Sequence, residues 1–376
     1  MAKTASPSSS WSMWIAVAAA LCALSLRYLS RENLVRDAQF YQPLPNLSLP
    51  PTMRSGSVTV RHSKATLLQV ADAQGPSPDE PVDMAYHTSY APDNPECSPK
   101  KHVLLIHGTG FNKDTFFWTK DTLQKTGHEG VASVLSPQLL VQSIVDRLHA
   151  SEPGICVTAI DLRGHGNSSV TAGPWSVRLL AADVAEALQL IHGQEVKVHA
   201  YGHSVGFGIV LDIAFHYPQL LWSASGGGFL PDMSANNGWL AWIFSRAPVV
   251  NALGMELNGA VGGGSISLST PAAFITELFR FVQLRGHLYT AQSWLHYNQI
   301  DQVSTMKVPV LWLHPIRDDL CDFTMEKVQR QFNQLPTANG NKLIVYNVSG
   351  DEDHCYNYLD PDKYFGDVID FVKSKL

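Results

Sequence analysis

Five residues, Gly202-His203-Ser204-Val205-Gly206, constrain this chain more than any other stretch because of what flanks them. The apolar run Val196–Ala200 leads in with strand character, and Phe207–Tyr217 leads out with helix character. The pentapeptide must therefore turn the backbone sharply between strand and helix. A serine at the apex of such a turn is held in a strained conformation, with its hydroxyl projecting above the sheet. A β-carbon at either flank would collide with the neighbouring strand or helix, which accounts for glycine on both sides. The same geometry aims the first helix amides, that of Val205 included, at whatever lies in front of Ser204. Small residues are common, so the weight of this short pattern depends on the rest of the chain.

Four other apolar runs end in polar clusters. Lys101–Ile106 ends in His107-Gly108-Thr109-Gly110, and Val157–Ile160 in Asp161-Leu162-Arg163-Gly164-His165-Gly166-Asn167-Ser168. Val308–Leu313 ends in His314-Pro315-Ile316-Arg317-Asp318-Asp319, and Leu343–Val348 in Ser349-Gly350-Asp351-Glu352-Asp353-His354. Each cluster follows the carboxyl end of a predicted parallel strand, where open α/β sheets place their sites. With a nucleophile-elbow pattern at Ser204 and the order Ser, Asp, His along the chain, residues from about Ser57 to Leu376 resemble the α/β-hydrolase superfamily, in its serine-nucleophile, esterase- or lipase-like branch. The resemblance implies an α/β class protein of the α/β-hydrolase fold: a mostly parallel central sheet, flanking helices and an inserted helical lid. An N-terminal apolar helix is expected in addition.

Length and composition agree with that class. A chain of 376 residues suits one large α/β domain with an insertion. The 45% hydrophobic content supports an extensive core, and 16% charged residues is low, as expected when a parallel sheet is covered on both faces. A net charge of -6 offers no basic footprint, so no nucleic-acid partner is expected. Fifteen histidines invite a metal reading, but the chain has no H-E-x-x-H or related cluster. Neither metal nor cofactor is expected.

Three segments are expected: 1–30, a membrane anchor or signal segment; 31–56, a proline-rich linker; and 57–376, the hydrolase domain, with its lid insertion at about 226–306. Trp11–Leu26 is almost uninterrupted apolar and is followed by Arg27, Arg31 and Arg36. As a helix it spans about 24 Å, short of a bilayer core unless Tyr28 and Leu29 extend it. A single-pass anchor with membrane association is the expectation, and a cleaved signal peptide (secretion) or an organelle-targeting segment the alternatives. The arginines favour the cytoplasmic side, which conflicts with a lumenal domain, so orientation stays open. Phe40–Thr52, with Pro43, Pro45, Pro50 and Pro51, is read as an extended tether.

A serine hydroxyl needs a neighbouring base to become a nucleophile. His354, in a polar turn after the last strand, can hang over the elbow as that base. His203 is expected to point elsewhere in a structural role, and His107 to brace the loop that follows it. The base requires a carboxylate to fix its tautomer and stabilise the imidazolium, and Asp318 stands at the position the resemblance assigns to it. Pro315 replaces the glycine more usual in the family, so Asp319 and the more distant Asp322 are weighed beside Asp318. A developing oxyanion requires donors. Val205 N–H supplies one, and the resemblance places the second at Thr109 N–H, with Gly108 and Gly110 permitting close approach.

The resemblance implies that Asp161–Ser168 is a structural turn, made tight by Gly164 and Gly166 and tied by Arg163 and Ser168. Gln138–Leu148 has helical apolar spacing, which predicts one additional helix. The stretch from Gly226 to the return at Val308 is rich in glycine (Gly226–Gly228, Gly262–Gly264) and aromatics, so an apolar lid over an apolar pocket is expected. Its glycine clusters are open between hinges and tight turns. Cys97 and Cys156 flank strands that are neighbours in this fold, and Cys321 and Cys355 lie beside converging loops. Free thiols are favoured without a known compartment, and pairing in an oxidising one. Of three glycosylation sequons, only Asn46 is placed to be used.

The function expected is a serine hydrolase cleaving an ester, lactone or thioester of a small apolar substrate through an acyl-enzyme on Ser204. Acyl transfer by the same three residues is one alternative, and a non-catalytic hydrolase-like binding protein another.

Overall fold

The computed structural model describes residues 49–50, 52–63, 66–67, 70, 80–91, 97–109, 111–125, 142–171, 173, 175–233, 284–295, 297–316, 318, 323–346, 354, 357 and 361–375. The apolar segment Trp11–Leu26, most of the linker and residues 234–283 of the insertion lie outside these. So do Gln138–Val141, Gly110, Asp319, Cys321, Asp322, Asn347 and Cys355.

Eight strands form one sheet: β1 (Arg54–Val60), β2 (Val82–Thr88), β3 (His102–Ile106), β4 (Cys156–Ile160), β5 (Val198–His203), β6 (Leu221–Gly227), β7 (Val310–Pro315) and β8 (Lys342–Tyr346). Their order is β1-β2-β4-β3-β5-β6-β7-β8. β2 runs antiparallel to β1 and β4, and every pairing from β4 to β8 is parallel. Among the described residues the α-helices are α1 (Lys120–Lys125), α2 (Ile144–Ser151), α3 (Val177–His192), α4 (Val205–His216), α5 (Leu284–Leu295), α6 (Ile300–Val303), α7 (Met325–Phe332) and α8 (Pro361–Lys373).

The unbroken apolar character of the central strands follows from cover on both faces. Every residue of β3 and β4 is buried. Side chains alternate between faces along a strand. Leu104 and Ile106 accordingly join a core with Leu180 and Val184 of α3 and Ile209 and Val210 of α4. Val103 and Leu105 join the opposite core, with Val145 and Leu148 of α2 and Phe365 and Val368 of α8. The additional helix is α2. Ser143 caps it by accepting from Asp146 N–H, and the Asp146 side chain reaches back to Ser143 N–H. That reciprocal cap sets the start at Ile144.

Pro315 does not divert β7. Ile316 N–H donates to Tyr346 O at 2.7 Å, so the position before it faces the β6 side, where pairing already ends at Gly226–Trp312. The proline's missing N–H therefore falls where no acceptor needs it.

The turn after β4 is a buried polar scaffold. Asp161 Oδ1 accepts from Lys113 N–H at 2.6 Å, and its Oδ2 accepts from Lys113 Nζ at 2.8 Å and Asn167 N–H at 2.7 Å. The Arg163 guanidinium grips Asp183 of α3 with two bonds, 2.8 and 2.7 Å, and donates to Thr171 Oγ1 at 2.7 Å. Burial alone would raise the Asp183 carboxyl, but Arg163 and His62 outweigh it and hold the group below the usual carboxylate range. Ser168 Oγ bridges Asp161 O and Ala85 N–H, each within 2.9 Å, which ties the turn to β2. The turn is structural, as the resemblance implies.

Cys97 and Cys156 are joined in a disulfide with Cα atoms 5.6 Å apart, which corrects the free-thiol expectation for this pair. Their bridge lies at the amino end of β4, away from the carboxyl ends where the polar clusters gather. Among the described residues no helix is long and apolar enough to cross a membrane.

Replacing Arg163 with Gln should leave the Asp183 carboxylate buried without its main partner, at a cost of about 3–5 kcal/mol. Urea unfolding of the purified variant checks this. An unchanged midpoint would mean that His62 alone sustains Asp183.

Candidate active site

The elbow is built by backbone strain and close packing. Ser204 has φ 56° and ψ -129°, and it is the one non-glycine residue with positive φ among the described residues. An L-residue held there costs of order 1–3 kcal/mol, so the surroundings must enforce it. They do so from both sides. Ser204 N–H donates to Gly227 O of β6 at 2.8 Å, and Ser204 O accepts from Phe207 N–H at 2.8 Å as α4 begins. A β-carbon at Gly206 would stand 2.6 Å from His107 O and closer still to Ile106 O, at the end of β3. One at Gly202 would overlap Gly206 O. The two glycines thus let β5, α4 and β3 meet at the serine.

The loop after β3 lies directly on that turn. A β-carbon at Gly108 would stand 3.1 Å from both Ser204 Cβ and His203 O. His107 braces the loop: its Nδ1–H donates to Gly108 O at 2.8 Å, and its Nε2 accepts from Leu162 N–H at 3.0 Å. Burial pushes His107 below its ordinary range, so it stays a neutral brace. Phe111 N–H closes a turn onto Gly108 O at 3.2 Å, leaving the intervening Thr109 N–H outside that bond. Val205 is the first residue of α4, so its N–H has no intrahelical acceptor.

Asp318 and His354 come together from different loops. His354 Nδ1–H donates to the carboxylate at 2.8 Å (Oδ2) and 3.0 Å (Oδ1), and both side chains are buried. The loop carrying Asp318 closes on itself through a bridge to Phe323. The pair faces the elbow across Gly228, where a β-carbon would stand 3.0 Å from His354 Cε1 and 3.4 Å from Ser204 N. Gly228 has φ 73°, and a β-carbon at Gly226 would overlap Gly202 O, so this glycine cluster is a tight turn beneath the site and not a hinge.

Two contributors escape sequence reasoning. His203 was expected to be structural, and it is, but what it holds was not foreseen: its Nε2–H donates to His354 O at 2.7 Å, so it fixes the backbone that carries His354. Burial first, and His354 beside it, push His203 down to about 3. Gly228 was noted only within a glycine run. The signal for it was its place after a strand that neighbours the elbow strand, but which side chain needed the space depended on where the His354 loop lands. The other carboxylates weighed, Asp319 and Asp322, lie outside the described residues. Among the described residues no group of His, Cys, Asp or Glu is arranged to hold a metal.

A strained serine, a carboxylate-anchored imidazole facing it and two helix- and turn-start amides around it form the constellation suited to acyl chemistry.

Comparison with known proteins bears on this geometry. A search of curated sequences finds an uncharacterized protein of Mycobacterium tuberculosis, 28% identical over 135 residues, or 35% of this chain and 31% of that protein. The chain therefore spans about a third of the length of the curated relatives it matches. Among solved structures, a hydrolase from Pseudomonas aeruginosa PA01 superposes with a TM-score of 0.52 at 19% identity, covering 80% of this chain and 96% of that one. An esterase from Exiguobacterium antarcticum gives 0.51 at 16%, covering 78% and 96%. Homoserine O-acetyltransferase from Bacillus anthracis gives 0.54 at 16%, covering 85% and 97%. At these identities the likeness is one of fold. The model of the alpha/beta hydrolase family matches residues 103–366, which takes in the elbow, both loops around it and the parallel strands from β3 to β8, and the chain belongs to that family.

Proposed function

We propose that this protein is a serine hydrolase that cleaves an ester, lactone or thioester of an apolar substrate through an acyl-enzyme on Ser204. The observation that carries the reading is the buried His354–Asp318 pair, 2.8 Å apart, facing the strained Ser204 across Gly228. His354 Nε2 takes the proton of the Ser204 hydroxyl as Oγ attacks the acyl carbon. The carbonyl oxygen becomes an oxyanion, received by Val205 N–H and Thr109 N–H. His354 then returns the proton to the departing alcohol or thiol, and the acyl group stays on Oγ. Water, activated by the same imidazole, releases the acid. Asp318 keeps His354 in the Nδ1–H tautomer and stabilises its charged form throughout.

The apolar nature of the substrate is inferred from the aromatic content of the insertion's sequence, which includes Trp239, Trp242, Phe244, Phe274, Phe279 and Phe281. Serine in place of a carboxylate at the elbow separates this chain from the branches that form alkyl-enzyme esters. Transfer of the acyl group to an alcohol or thiol instead of water uses the same residues. The esterase and acetyltransferase neighbours carry both outcomes on one scaffold. Membrane tethering is proposed from the sequence of Trp11–Leu26 alone.

Wild-type protein should react with a fluorophosphonate probe and Ser204→Ala should not, with ester turnover falling by several orders of magnitude while the fold persists. Folded wild type that takes no label would reduce the protein to a binding module.

Asp318→Asn should keep the fold and lose on the order of 10⁴ in kcat, because the amide favours the wrong imidazole tautomer. Steady-state kinetics of the purified variant decides it. Near-normal turnover would transfer the orienting role to Asp319 or Asp322.

On the acid side, kcat/KM should fall with a slope of one against pH, reporting a single proton on His354. His203, held at about 3, stays neutral through that range and adds no second proton. A slope of two in the pH–rate profile would contradict this.

A further inference from the structure

Charge is divided between the two ends of the sheet, which the net value of -6 conceals. Lys100 precedes β3, Lys197 precedes β5, Lys307 precedes β7, and Lys342 opens β8. β1 starts at the same amino edge, because Arg54 pairs with Thr88 and Thr88 with Thr158, near the start of β4. Arg54, Lys100, Lys307 and Lys342 are exposed. Glu152, an acid on this edge, is held between Lys101 and Lys373, and Glu195 lies two residues before Lys197. The carboxyl edge is the reverse, with Asp161 after β4 and Asp318 after β7. Two further features share the basic edge. Trp222, in β6, leaves 36% of its surface exposed, with Lys197 Nζ 4.1 Å over its ring. An amphipathic ring beside a long cationic side chain suits the boundary between water and lipid. The chain also enters the domain here. Met53 N–H closes a turn on Pro50 O at 2.8 Å, and Met53 is buried in the core against which Leu49 packs. The sequence that follows the apolar run Trp11–Leu26 therefore joins the domain at the basic edge, not at the edge of Ser204.

We propose that the amino edge of the sheet docks on an anionic lipid surface, with Lys100, Lys197, Lys307 and Lys342 over the headgroups and the site around Ser204 turned away from the bilayer. This builds on the tether read from Trp11–Leu26 and is independent of the chemistry at Ser204. Charge complementarity selects the partner, and the overall negative charge does not oppose it. Attraction between exposed charges fades within about 8–10 Å at ordinary salt. β3 alone, with five residues, spans about 17 Å, so the carboxylates of the far edge stand beyond the reach of the headgroups. Each lysine held near such a surface strengthens binding about fivefold. The tether supplies proximity, and the lysines then decide which face of the domain meets the membrane. Substrate reaches Ser204 from the aqueous side in this arrangement.

The test is co-sedimentation of the full-length chain with vesicles of phosphatidylcholine alone and of phosphatidylcholine mixed with phosphatidylglycerol. Wild type should bind the mixed vesicles more tightly. The triple variant Lys100→Gln, Lys307→Gln, Lys342→Gln should lose on the order of 10²-fold in affinity for them and nothing for the neutral ones. Arg61→Gln with Lys363→Gln, which removes two exposed cations after β1 and at the start of α8, should change it by less than about twofold. Hydrogen exchange of wild type gives a reading that needs no variant. Mixed vesicles should protect peptides covering 98–102, 194–198 and 339–343 and leave 107–109 and 203–206 unchanged. Protection at the Ser204 edge instead, or retention on heparin with no response to phosphatidylglycerol, would overturn the proposal. Wild type that binds neither kind of vesicle defeats the tether and this inference together. Binding to neutral vesicles, beside an equal gain from phosphatidylglycerol in wild type and triple variant, defeats only the role of the basic edge.

Discussion

The structure turns on a single backbone conformation, the left-handed φ of Ser204, and on the hydrogen bond from its N–H to Gly227 O that helps to impose it. Nothing in the serine itself favours that conformation. It is imposed because β5 ends between β3 and β6 in a parallel sheet, and because α4 starts at once, with Phe207 N–H closing on Ser204 O. Three glycines make the packing possible. Gly202 accommodates the carbonyl of Gly206, Gly206 accommodates the end of β3, and Gly226 accommodates the carbonyl of Gly202. A methyl group at any of them would push apart the elements that hold the serine forward. Strain at the apex is thus sustained by the burial of two cores, one on each face of the sheet.

A second layer transmits rigidity from the scaffold to the site. Asp161 gathers Lys113 and Asn167, and Leu162 N–H in the same turn donates to His107 Nε2. His107 in turn holds the Gly108 carbonyl, and Gly108 lies against Ser204. Burial alone would lower the Lys113 ammonium, but Asp161 and Asp114 outweigh it and raise the group above its ordinary range. The ionic turn after β4 touches no reacting group of the proposed chemistry, yet the position of the Gly108–Thr109 loop beside Ser204 depends on it. Preorganisation of this kind lets dipoles act on developing charge without first having to reorient.

The same division explains why the disulfide stands apart from the chemistry. Cys156 opens β4 at the amino end of the strand, while Asp161 follows its carboxyl end. A bridge to Cys97 secures the chain entering β3 without touching the residues around Ser204. Buried histidines serve similarly. His199 joins Ser223 and the Lys100 carbonyl, and His102 and His192 share Thr158 at the sheet's amino end, where burial pushes all three imidazoles below their ordinary range.

Much of this was legible in the sequence, because the interactions concerned are local or periodic. Apolar runs ending in polar clusters give parallel strands and their order. Glycines flanking a serine give the elbow. The order of Ser204, Asp318 and His354 gives the expected roles. Tertiary structure alone decided what depends on loops meeting across the sheet. It set Asp318 Oδ2 2.8 Å from His354 Nδ1, joined His203 to the His354 carbonyl, placed Gly228 between imidazole and serine, and paired Cys97 with Cys156. It also decided that Pro315 is harmless, since the side of β7 that lacks an acceptor is a property of sheet register and not of residue type. Sequence pattern specifies which residues share an element and a face. Which atoms touch across elements follows from packing, and packing is settled only when every element is in place.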